Sequence, residues 1–115
     1  MDRLHELMLE KGRLRRLYAS TNSAHSKSKT AYTSAVKSRK DSDENVLRAK
    51  KISNSDYLKA THDRELLENK IVELKKDKDA KYEEFMKVFA RQRENLNERR
   101  KIMNENVEGQ QGPEV

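Results

Sequence analysis

A heptad frame runs without a slip through the first half of this chain. Its paired positions are Leu4/Leu7, Lys11/Leu14, Tyr18/Thr21, His25/Ser28, Tyr32/Ala35, Arg39/Ser42 and Val46/Ala49. Seven successive heptads exceed the three or four that mark a coiled coil. The frame is thin, and between residues 19 and 35 it is mostly Ala, Ser and Thr. A chain patterned in this way predicts long helices that need a partner of complementary bulk.

Composition excludes the competing classes. Charged residues make up 40% of the 115 residues and hydrophobic residues only 33%, too little apolar surface for a layered globule of this size. Gly (3) and Pro (1) are scarce, which favours uninterrupted helix over disorder. There is no Cys, so disulfides and thiolate zinc sites are out, in keeping with a reducing compartment. No apolar run approaches the roughly 20 residues of a membrane span, and the N-terminal stretch lacks the apolar core of a secretion signal. The expected location is cytoplasmic, with room for a peripheral place on a membrane-bound complex.

The second half is richer in bulk. Leu67, Ile71 and Leu74, then Tyr82, Phe85, Phe89, Leu96, Met103 and Val107, are expected to line one face, with an eleven-residue spacing Leu74–Phe85–Leu96–Val107 that a stutter after Lys78 allows. Midway stands "AKKISNSDYLKA", where Ser53-Asn54-Ser55-Asp56 interrupts the run of helix formers. Folding the chain there sets Phe89 against Ala19, Phe85 against Ser23, Tyr82 against Ser26 and Leu74 against Ser34–Ala35. Large side chains then meet small ones. A parallel homodimer would stack the Ser/Thr stretch on itself, which makes a poor seam.

The expectation is therefore an all-α, two-helix antiparallel coiled-coil hairpin. Its arms are 2–52 and 56–107, its bend a loop near residues 53–56, and residues 108–115 form a disordered tail. Ser53 or Ser55 would cap the second helix, with Asp56 near its positive end. A rival bend lies at 39–46, where Asp41-Ser-Asp-Glu44 resembles a capping box. Each arm of about 50 residues would run about 75 Å.

Chemistry is sparse. No phosphate loop, HExxH or nucleophile elbow occurs, and His5, His25 and His62 stand far apart in sequence. No catalytic residue, cofactor or metal ligand is assigned, and the protein is expected not to be an enzyme. The aromatic residues, spaced for a seam, read as packing before base stacking. Tyr57 and Leu58 either form an exposed docking pair at the tip or close the last turn against Val46 and Ile52.

Charge is uneven. Residues 1–52 carry 13 Lys/Arg against 6 Asp/Glu, and residues 53–115 carry 13 against 14. In a hairpin, Lys11, Arg13, Arg15 and Arg16 join Arg91, Arg93, Arg99, Arg100 and Lys101 on the same half. Phosphates of DNA or RNA suit such a surface. The intervening Glu94, Glu98 and Glu105, and the lack of a base-reading motif, favour an acidic protein partner.

These features together, and the opening "MDRLHELMLEKGRLRRLYAS", resemble the central stalk proteins of type III secretion and flagellar export, the FliJ/YscO family. The resemblance covers residues 1–107. It implies a stalk whose terminal half sits in the pore of a hexameric ATPase while the hairpin tip contacts the export gate. By position along the hairpin, Leu4, Leu7, Arg13, Arg15, Arg16, Arg99, Arg100 and Lys101 would face the ATPase. Asn54, Asp56, Tyr57 and Leu58 would face the gate. A second likeness, over "AYTSAVKSRKDSDENVLRAKK" and "DYLKATHDRELLENKIVELKKDKDAKYEEF", is to the long helices of BAR and F-BAR domains, which bind anionic membranes as dimers. The remaining alternative is a structural or scaffold subunit of a large assembly.

Overall fold

The fold was taken from a computed structural model, which describes residues 2–111. Two helices account for nearly all of it: α1, Arg3–Ile52, and α2, Asn54–Gln111. Among the described residues there is no strand. Asp2 caps α1, accepting the His5 N–H on its carboxylate at 2.9 Å and the Glu6 N–H on its carbonyl at 3.2 Å.

One residue, Ser53, separates the helices. Its N–H closes α1 on the Ala49 carbonyl at 3.2 Å, and its carbonyl accepts from Tyr57 at 3.0 Å. Its hydroxyl accepts the Asp56 N–H at 3.1 Å, the N-cap bond of α2. The bend thus falls where expected but is tighter. Asn54, Ser55 and Asp56 form the first turn of α2 and do not belong to a four-residue loop. The rival bend at 39–46 lies within continuous helix.

The expected tail is also revised. Residues 108–111 continue α2 past the predicted end at 107. Glu and Gln are good helix formers, and one Gly costs a helix only about 1 kcal/mol. The side chain of Val107 and residues 112–115 lie outside the described residues.

The two helices pair antiparallel within each of two compact units. Unit 1 joins the chain up to Asn22 with the chain from Glu83 onward, and unit 2 is Ser23–Tyr82. In unit 1, Arg3 meets Glu98, Glu10 meets Arg91 and Tyr18 meets Phe85, so one number rises as the other falls. In unit 2 the same order links His25 to Tyr82, Tyr32 to Lys78, Arg39 to Glu68 and Asp43 to Arg64.

On α1 the interior face is the frame read from the sequence. Every frame position from Leu4 to Ala49 is buried or half-buried except Tyr18, which is 36% exposed. On α2 the inward positions are 57/60, 64/67, 71/74, 78/81, 85/88, 92/95 and 99/102, all buried or half-buried. This is one unbroken heptad frame, and the expected stutter after Lys78 does not occur.

Tyr82, Phe89 and Met103 were expected in the seam but are 48%, 38% and 55% exposed. Phe85 stays inside. It meets Tyr18 with ring centroids 5.0 Å apart, where Ser23 was expected. Tyr82 packs beside His25 at 5.2 Å, close to the predicted Ser26.

Candidate functional site: a basic surface on unit 1

The seam of unit 1 is held at its centre by a buried polar residue. Asn95, 1% exposed, donates from Nδ2 to the Leu7 carbonyl and to Glu10 Oε1, each at 2.9 Å. Its Oδ1 accepts from Arg99 Nε at 2.7 Å. Every polar atom of this side chain has a partner, so the amide lies inside without leaving a desolvated group unpaired. Leu7, also 1% exposed, and Leu14 supply the surrounding apolar burial.

One side of the seam is closed by ions. Arg3 meets Glu98 at 2.8 Å, Arg91 meets Glu98 and Glu94 at 3.2 Å each, and Arg91 also grips Glu10. Hydrogen bonds from Arg91 and then Asn95 hold the Glu10 carboxyl below its ordinary pKa, against the opposing effect of burial. Glu98 is lowered likewise, by Arg3 first and Arg91 second. The same contacts push the Arg91 guanidinium upward, so it is charged at any working pH.

The arginines predicted to meet a partner are divided by this arrangement. Arg91 is consumed by carboxylates and Arg99 by Asn95. Arg13, Arg15, Arg16, Arg93, Arg100 and Lys101 are exposed. Among the described residues the side chains of these six have no hydrogen-bond or ion-pair partner. Both basic clusters read from the sequence therefore belong to unit 1, and their outward members are free to bind. A cleft of about 200 Å³ opens between Lys11, Leu14 and Arg15 of α1 and Asn95, Leu96 and Arg99 of α2.

Leu4 is half-buried and Leu7 is fully inside the seam. Leu7 offers a partner nothing, because its side chain is enclosed and its carbonyl is taken by Asn95. The apolar residues that unit 1 presents instead include Met8, Leu9 and Leu17, which are about half exposed. The sequence reading missed these three; the signal available was their helical position, since all lie off the frame that holds Leu4 and Leu7.

At the turn, Asn54 and Asp56 are exposed, and Asp56 is engaged through its N–H in the Ser53 cap. Tyr57 is half-buried, its carbonyl accepting from the Thr61 hydroxyl at 2.8 Å. Leu58 is 65% and Ile52 73% exposed, so these two do not close the last turn against each other. Unit 2 has its own electrostatic tie, with Glu68 between Arg39 and Arg64 and Arg64 also on Asp43. Lys78 enters the seam by laying its ammonium 4.6 Å from the centre of the Tyr32 ring.

Among the described residues no group of three or more His, Cys, Asp or Glu is gathered for a metal ion. No described helix is long and apolar enough to cross a membrane. The chain matches no protein-family model, no curated protein and no solved structure.

Proposed function

We propose that this protein is a non-catalytic helical hairpin that acts by binding. Its unit 1 presents a basic surface to an acidic protein partner, and the residues around Ser53 supply a second contact. The observation that carries this reading is the set of exposed arginines Arg13, Arg15, Arg16, Arg93 and Arg100, drawn from both helices onto one unit. Neighbouring arginines are neutralised by carboxylates or tied to the seam. These are left to act outward, where they steer and orient an acidic surface.

The specific form we favour is a stalk or adaptor of a type III secretion apparatus. Unit 1 engages the hexameric ATPase, and Asn54, Asp56, Tyr57 and Leu58 contact the export gate. The support is the resemblance in size, hairpin architecture and Arg-rich opening. The test is ATP hydrolysis by the export ATPase with and without this chain. The reading predicts stimulation by the wild-type chain and none by the Arg15→Glu/Arg16→Glu variant. Equal rates with wild type, variant and buffer contradict it.

A further inference from the structure

The two long sides of unit 1 are unlike. With seam residues at heptad positions a and d, g positions border one side and e positions the other. On the g side Arg3 and Glu10 of α1 meet Glu98 and Arg91 of α2, and ion pairs close it. The e side has Met8 and Arg15 on α1 and Phe89, Leu96 and Met103 on α2. Arg99 Nη1 reaches the Met8 sulfur at 4.0 Å across it, which places these e positions on a common side.

The e positions of α2 are joined by its b positions into a second heptad stripe. Met86, Phe89, Arg93, Leu96, Arg100 and Met103 follow one another in steps of three and four beside the seam; Leu96 is half-buried at the cleft and the other five are exposed. Met86 is 39%, Phe89 38% and Met103 55% exposed. A stripe with that period is the pattern by which a helix receives another helix, and the hairpin itself does not fill it.

We propose that this stripe, with Met8 and Arg15 of α1, is the docking groove for a third helix: an amphipathic, acidic helix of a partner protein, laid along unit 1. The proposal rests on the reading of unit 1 as the binding surface and names the kind of partner it takes. Apolar residues of the incoming helix at heptad spacing cover Phe89, Leu96 and Met103. Acidic residues flanking them meet Arg15, Arg93 and Arg100, which have no partner among the described residues. Charge decides against a second copy of this chain. The stripe holds two arginines and no acidic residue, so two copies would set like charges together.

The test uses the full chain and two synthetic 28-residue peptides followed by fluorescence anisotropy. Both carry Leu at a and d. One has Glu at e and g, the other Lys. The Glu peptide is expected to bind at least about a hundredfold more tightly than the Lys peptide. Phe89→Ser/Met103→Ser should weaken it at least about tenfold while the chain keeps its helicity and a cooperative unfolding transition, since neither side chain belongs to the seam frame. Leu66→Ser, an exposed site in unit 2, should leave it alone. No binding, equal binding of both peptides, or unchanged affinity in the double variant overturns the proposal. So does a wild-type dimer in sedimentation that Phe89→Ser dissolves, which would make a second copy the occupant. Failure here with ATPase stimulation intact removes the groove alone. Loss of stimulation with peptide binding intact removes the stalk reading alone.

Discussion

The Asn95 side chain donates to the Leu7 carbonyl at 2.9 Å, inside a seam where both residues are 1% exposed. This bond ties a side chain of α2 to one backbone position of α1, so sliding the helices by a heptad would break it. A buried amide in a coiled coil fixes register at some expense of stability. Asn95→Leu is expected to raise the thermal midpoint while broadening the distance distribution between spin labels on the two arms of unit 1. Asn95→Ala, which opens a cavity in the seam and leaves Arg99 without its acceptor and Glu10 without the amide donor, should destabilise by about 1–3 kcal/mol. A leucine variant with a single narrow distance would mean that the bond does not set register.

The enclosed Leu7 side chain gives the largest single loss. Leu7→Ala should lower unfolding free energy by about 2–4 kcal/mol in urea titrations, whereas Leu9→Ala, half exposed, should cost under about 1 kcal/mol. Equal effects at the two positions would contradict the frame.

Tyr18 and Phe85 should be coupled. Their rings lie 5.0 Å apart and tilted by 51°. A double-mutant cycle with Tyr18→Ala and Phe85→Ala should return a coupling of about 0.5–1.5 kcal/mol. The cycle of Ser23→Ala with Phe85→Ala should be additive. The reverse result would restore the pairing expected from bulk alone.

Acid should weaken unit 1. Glu10 and Glu98 have pKa values lowered in the folded chain from an ordinary 4.5. Their contribution is therefore complete above that value and is lost as pH falls through the lower, folded values. The thermal midpoint should drop on acidification below about pH 4.5, and the drop should be smaller in Glu10→Gln/Glu98→Gln. Both carboxylates are partly exposed, so salt should reduce the effect as well. A variant with the same acid slope as wild type would show that these ion pairs do not contribute.

Much of the fold could be read from the residues. The α1 frame, the antiparallel hairpin and the bend at Ser53 were all legible, because each depends on local pattern. The α2 frame beyond Lys78 was not. Hydrophobicity points to Tyr82, Phe89 and Met103, yet the pairing keeps its heptad and brings in Lys78, Gln92, Asn95 and Arg99 instead. Those residues fit because long side chains pack their stems and turn their heads to partners, as Lys78 does on Tyr32 and Arg99 on Asn95. The continuing rhythm 57/60, 64/67, 71/74 carried the signal, as did the opposed charges at Arg3 and Glu98 and at Glu10 and Arg91. The basic clusters were legible as a group. Which arginines stay free was not, since that depends on which carboxylates cross from the other helix.

Residues near the start of the chain lie beside residues some eighty positions later. The sequence contains no Cys, so cysteines placed at exposed Arg13 and Arg93 can be spin-labelled uniquely. In a sample diluted with unlabelled chain, pulsed dipolar spectroscopy should give one distance of about 20–30 Å, the separation of paired helices plus label reach. A single unbent helix would put the same labels about 120 Å apart, beyond detection, and loss of the dipolar signal would contradict the account.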